Sequence, residues 1–199
     1  MSLTKIKKTV IINRAISGSG KTTISKCIAK TIKNAGFSVA IHSTDNYFFT
    51  ELGTYDFIPD KLGEYHQKNL EAFCANIDAG IDLIINDNTN LSSWQSEPYI
   101  EAGKNAGYKI IVIEYEPRNL DKHIEAQTPT KENPHAHGVP KETIIKMISD
   151  YNEFKNLLDK KHLTDNKVDL VIEILPNEFH SIKKNIGRDI LNLMTQVKF

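Results

Sequence analysis

Eight consecutive residues limit the fold of this 199-residue chain more than any other feature. Ala15-Ile16-Ser17-Gly18-Ser19-Gly20-Lys21-Thr22 lies between a short apolar run, Thr9 to Asn13, and a helical pattern. That pattern puts Ile24, Cys27, Ile28, Thr31, Ile32 and Ala35 on one face and stops at Gly36. Glycines at 18 and 20 let successive backbone N–H groups turn inward around phosphate oxygens. Lys21 can reach the β- and γ-phosphates, and the Thr22 hydroxyl can bind Mg²⁺ where the helix begins. The first loop position is Ala15, the smallest substitute for the glycine more often found there. A strand that runs through such a loop into a helix belongs to a parallel α/β sheet.

The rest of the chain repeats the alternation. Further strands are expected at Ser38–His42, Asp82–Asn86, Lys109–Tyr115 and Val168–Leu175. Helices are expected around Leu70, Phe73 and Ile77 (ending at Gly80), over about 93–106, and over about 119–127. A fourth follows Pro140 with Ile144, Ile148, Tyr151 and Leu158 inward. The last carries Phe179, Ile182, Ile186, Ile190, Leu193 and Val197 on one stripe. Residues 46–63 read as irregular, and about 128–140 as a lid segment broken by Pro129, Pro134, Gly138 and Pro140. No repeat, linker or low-complexity tract interrupts residues 1–199, so one domain is expected.

Twenty-five basic residues balance 25 acidic ones. A protein that coats nucleic acid carries a basic excess, so any nucleic acid here must meet a local patch. Cys27 and Cys74 have no metal-ligand spacing and fall on apolar stripes, which reads as two small buried hydrophobes in a reduced, cytoplasmic protein. No apolar run is long enough to cross a membrane, and the first eight residues lack the apolar core of a signal peptide.

Two acidic positions stand at strand ends, where open α/β sheets bind ligands. Asp87, in Asn86-Asp87-Asn88-Thr89-Asn90, is placed to hold Mg²⁺ together with Thr22. The alternative is a polar turn with Asn90 or Ser92 capping the next helix. Asp45, in Ser43-Thr44-Asp45-Asn46-Tyr47-Phe48, would face the same crevice as Lys21 and could take the proton of an attacking hydroxyl. Its alternative is a turn residue opening a loop.

These elements occur in a characteristic order: Arg14 to Thr23, Ser43 to Phe48, Gly53 to Pro59, Leu62 to His66, Asp87 to Asn90, Trp94, Gly107-Tyr108, Glu116-Pro117 and His137-Gly138-Val139-Pro140. Over about residues 8–150 the chain resembles the P-loop kinases of the polynucleotide 5′-hydroxyl kinase type and the small stand-alone ATPases close to them. The resemblance implies a P-loop NTPase three-layer sandwich whose parallel five-stranded sheet has the order 2-3-1-4-5 with helices on both faces. It implies Mg-ATP as donor, bound through Ser17, Gly18, Ser19, Gly20, Lys21, Thr22, Thr23 and Arg118, with Mg²⁺ on Thr22 and Asp87. It implies Asp45 as general base.

The departures bear on the acceptor. Such kinases usually carry an arginine on the lid, just before the HGVP-like element, where this chain reads Asn133-Pro134-His135-Ala136. Arginine occurs only at 14, 118 and 188. The nearest cations are Lys131, His135 and His137, and Lys131 is taken as the catalytic cation beside Lys21 and Asp45. His135-x-His137 has no third ligand at metal spacing. A basic position common soon after the base is aromatic here, in Tyr47-Phe48-Phe49. The expected activity is transfer of the γ-phosphate of ATP to a hydroxyl, with a polynucleotide 5′-hydroxyl first. The alternatives are a small metabolite, nucleoside or sugar nucleotide as acceptor, or a non-catalytic ATP-binding switch.

Overall fold

In the computed structural model residues 6–130, 136–164 and 167–195 are described, with the backbone alone for 154–164. Five strands alternate with six helices: β1 (Thr9–Arg14), α1 (Lys21–Asn34), β2 (Val39–His42), α2 (Leu62–Asp78), β3 (Leu83–Asn86), α3 (Ser93–Asn105), β4 (Lys109–Tyr115), α4 (Leu120–Gln127), α5 (Lys141–Thr164), β5 (Leu170–Ile174) and α6 (Phe179–Thr195). The sheet order is β2-β3-β1-β4-β5, and every pairing is parallel.

The middle strands are apolar on both faces because helices cover both. From β1, Ile11 packs towards α1 and α6 with Ile24, Ile28, Ile32, Ile186, Ile190 and Met194. Its neighbours Val10 and Ile12 face the opposite side, against Phe73, Ile77, Tyr99 and Ile100 of α2 and α3. A third cluster, Ile16, Leu91, Ile144 and Tyr151, lies beneath α5. The α1–α6 approach is closest at Gly187, where a Cβ would run into the Thr31 side chain.

Two local expectations change. Cys27 and Cys74 are free but only half-buried, at the margins of the two clusters, and burial moves the Cys74 thiol upward. Residues 46–63 are more ordered than their composition suggests. Two 3₁₀ turns (Thr44–Phe48 and Pro59–Lys61) and an antiparallel bridge between Phe49 and Tyr55 shape them. Buried Phe48 holds the segment together, with its ring 4.9 Å from Phe57 and 4.8 Å from Tyr65. Leu158 and Val197 lie outside the residues whose side chains are described.

Arg14 and Glu114 are register partners on β1 and β4, and they form an ion pair with side chains 0% and 1% exposed. The guanidinium also donates to Tyr151 O at 3.0 Å and lies 4.4 Å from the centre of the Tyr151 ring. Removing one member of such a pair strands a buried charge, at a cost of about 3–5 kcal/mol. Glu114→Ala should lower stability in urea unfolding by that amount. The double change Arg14→Met with Glu114→Leu, which removes both charges and keeps the volume, should cost clearly less than Glu114→Ala.

Candidate active site

The loop between β1 and α1 closes through its two glycines. Gly18 (φ 77°) and Gly20 (φ 88°) have left-handed backbone that favours glycine. A side chain would also crowd its neighbours: a Cβ at Gly20 would sit 2.6 Å from the Phe179 ring, and one at Gly18 would sit 3.1 Å from His123 O. Ala15 needs no such freedom. It is buried and outside the left-handed region, and its N–H donates to Thr89 O at 2.9 Å. Gly20 is the N-cap of α1, so no side chain caps that helix, and its first turn contains no acid. Open N–H groups and the positive end of the helix dipole are what an anion requires.

Lys21 lies between two carboxylates. Its ammonium donates to Ile16 O at 3.4 Å. Burial lowers its pKa, while the charges of Asp87 and Asp45 act to raise it. Asp87, 3% exposed just beyond β3, is held by its backbone N–H to His42 O at 2.7 Å. Its Oδ1 accepts from Asn13 Nδ2 at 2.8 Å and from Ser25 Oγ at 3.2 Å. Burial raises the Asp87 pKa, opposed first by Lys21 and then by hydrogen bonds from Thr22, Asn13 and Ser25.

The turn after Asp87 divides its tasks. Ser92 forms a capping box with Gln95 at the start of α3, whereas Asn90 (φ 48°) donates its amide to Asn13 O at 2.7 Å and braces β1. Asp87 itself caps nothing.

Asp45 stands in the 3₁₀ turn after β2 with 47% of its side chain exposed. Thr44 N–H donates to Asn88 Oδ1 at 2.8 Å and so ties the ends of β2 and β3 together. Tyr55 OH donates to Asp45 Oδ1 at 3.4 Å, and His137 Nδ1 lies 3.4 Å from Asp45 Oδ2. The fold thus brings Lys21, Asp45, Asp87 and His137 to one end of the sheet. Thr22 and Thr23 are exposed on the first turn of α1. Lys131 and His135 lie outside the described residues. No group of three or more His, Cys, Asp or Glu side chains could hold a metal among the described residues. The Thr22 hydroxyl hydrogen-bonds to the Asp87 carboxylate, which brings two oxygen donors together.

Arg118 occupies the outer side of the loop, where Nη2 donates to Gly18 O. Its backbone N–H donates to His123 Nε2 at 2.9 Å. His123 therefore carries its proton on Nδ1, which lies 2.9 Å from Ser17 O and donates to it. Two loop carbonyls, Ser17 O and Gly18 O, thus have side-chain partners outside the loop. Sequence reading missed His123; the only signal was a polar residue between the apolar positions Leu120 and Ile124 of a short helix.

No protein-family model matches the chain. Human NEDD4-binding protein 2 is 31% identical over 151 residues, which are 73% of this chain and 8% of that protein. Chaetomium thermophilum Kti12 in complex with ADP-AlF3 superposes with a TM-score of 0.59 at 12% identity, covering 93% of this chain and 98% of that one. Shikimate kinase from Acinetobacter baumannii in complex with shikimate gives 0.53 at 16% identity, over 93% and 92% of the two chains. With the strand order described above, these likenesses show a P-loop NTPase fold. No helix among the described residues is long and apolar enough to cross a membrane.

His123 is fully buried, and burial holds its pKa down to about 4, aided by the charges of Arg118 and Lys21 and opposed by the bond to Ser17. The unfolded chain takes up this proton near pH ~6.5. The stability that depends on neutral His123 is therefore complete above that pH and lost as pH falls towards 4. In thermal melts, His123→Asn should lower Tm at pH 7 and shrink the drop in Tm between pH 6.5 and 4.

Proposed function

We propose that this chain is a Mg-ATP-dependent phosphotransferase acting on a hydroxyl acceptor. The observation that carries the reading is the shared crevice: an ammonium from the phosphate loop, a buried carboxylate beyond β3 and a half-exposed carboxylate beyond β2 converge at one sheet end. The loop also fits the nucleotide. Its helix start is uncapped, a Cβ at Gly18 or Gly20 would crowd its neighbours, and the Ser19 hydroxyl is buried without a hydrogen-bond partner among the described residues. Bound Mg-ATP would supply the phosphoryl group that is moved.

Each side chain then has a task. The N–H groups of residues 17–23 and the Lys21 ammonium bind and orient the phosphates. Thr22 and Asp87 hold Mg²⁺, and Asn13 and Ser25 fix the Asp87 carboxylate through Oδ1. Asp45, the carboxylate open to an incoming molecule, accepts the proton of the acceptor hydroxyl. Arg118 is engaged with Gly18 O, so it supports the loop, and a further cation for the transferring group would come from Lys131.

A polynucleotide 5′-hydroxyl is the acceptor to test first, on the strength of the motif order. A small hydroxyl metabolite or nucleoside is favoured by one observation. The segment after Asp45 is an aromatic wall (Tyr47, Phe48, Phe49, Tyr55), and the nearby Lys61 and Lys68 are both paired with Glu64. Phosphate-backbone binding needs free cations at that place.

Lys21→Ala should weaken Mg-ATP binding at least about tenfold in calorimetry on folded protein, through loss of a charge-assisted contact; unchanged affinity would remove this loop as the ATP site. Asp45→Asn should lower turnover by roughly 10²–10⁴-fold with ATP affinity nearly kept. A loss under about fivefold would return Asp45 to the role of a turn residue. Tight Mg-ATP binding without transfer to any member of a broad hydroxyl panel, oligonucleotides included, would replace the phosphotransferase by a nucleotide-dependent switch.

A further inference from the structure

Three separate parts of the chain meet on the Asp45 carboxylate. Tyr55, from the bridged segment after β2, faces Oδ1 at 3.4 Å, and His137, from the stretch entering α5, faces Oδ2 at 3.4 Å. The two rings stack on each other, with centroids 4.1 Å apart and planes 8° from parallel. Phe49 packs edge-on against both, at 5.4 Å from Tyr55 and 6.5 Å from His137. A carboxylate 47% exposed and without such partners would sample several rotamers; here each oxygen is addressed from its own side.

The backbone beside His137 is anchored as well. Gly138 (φ 63°) donates its N–H to Gln127 O at 2.9 Å, the last residue of α4. Four residues earlier in α4, His123 holds the Ser17 carbonyl of the phosphate loop. One eight-residue helix therefore sets the distance between the phosphate loop and the side chain that faces Asp45.

We propose that His137 is a positioning residue for Asp45, donating from Nδ1 to Oδ2 so that the carboxylate points at the acceptor hydroxyl. The inference rests on the reading of Asp45 as the base. His137 touches neither donor nor acceptor in this role; it acts through the carboxylate. Contacts of this kind are often long in the ligand-free state and tighten in the reactive complex. Burial lowers the His137 pKa, with Asp45 acting to raise it and Lys21 to lower it further; the stacked Tyr55 stays neutral because burial and Asp45 push its pKa up.

The pairing is read first without any turnover. The His137 imidazole is titrated by NMR in the nucleotide-free protein, its signals assigned through His137→Asn. In Asp45→Asn the carboxylate charge is gone, so the His137 midpoint should fall relative to wild type. An unchanged midpoint overturns the pairing. The second readout is kinetic. His137→Ala should lower kcat about tenfold with the KM for ATP within about twofold. His137→Asn, whose side-chain amide can stand where Nδ1 stands, should recover most of the loss, and His137→Gln should not. In an Asp45→Asn background His137→Ala should cost nothing further, because the positioned group no longer acts. Full additivity of the two losses would overturn the proposal. Absence of any transfer by wild type would instead remove the phosphotransferase reading, and the titration alone would then decide whether His137 and Asp45 are paired.

Discussion

The buried pair between Arg14 and Glu114 is the constraint on which the functional end of the sheet depends. Arg14 is the last residue of β1, and the phosphate loop begins at the next position. Its partner is the register neighbour on β4, so the pair fixes the two central strands against sliding just where the chain must leave the sheet. Its Nη2 reaches Leu91 O after β3 and Tyr151 O in α5. Four segments are thus referenced to one planar cation, a task suited to a guanidinium with its fork of donors and not to the point charge of a lysine. Desolvating two charges is costly, so the presence of the pair is no measure of net stability.

From that fixed point the site is assembled by short polar links. Asn13 connects Asp87, Ser25 and the Tyr115 hydroxyl, so the Asp87 carboxylate, α1 and β4 are tied together. Thr44 and Asn88 join the ends of β2 and β3, which sets the spacing between the two acidic positions. The helix α4 supplies the last reference by holding the Ser17 carbonyl on one side and the turn at Gly138 on the other. Such preorganisation matters more for phosphoryl transfer than for most chemistries, because orientation and charge placement carry nearly all of the work.

Much of this was legible in the sequence. The apolar strands, the glycine spacing, Lys21 and the acidic ends of β2 and β3 are local patterns, and each was found where it was expected. What was not legible is long-range. Arg14 is only the first residue of a motif until Glu114, 100 positions away, is placed beside it. His123 reads as an ordinary helical residue until Ser17, 106 positions earlier, turns its carbonyl towards it. The order within residues 46–63 escaped notice because it comes from ring contacts around Phe48 and not from backbone periodicity. The half-burial of the cysteines follows from their places on the flanks of their helices, which an apolar stripe alone does not resolve.

The contact between Gly20 and Phe179 has a consequence in time. The ring that closes one wall of the phosphate loop belongs to the first residue of α6, the last helix of the described chain. The loop therefore leaves a ribosome long before its wall does. The same holds below it, where Lys7 N–H donates to Met194 O. A nascent chain would therefore carry the whole glycine–lysine signature well before the surface that shapes it. That surface is completed only when α6 has folded back against α1.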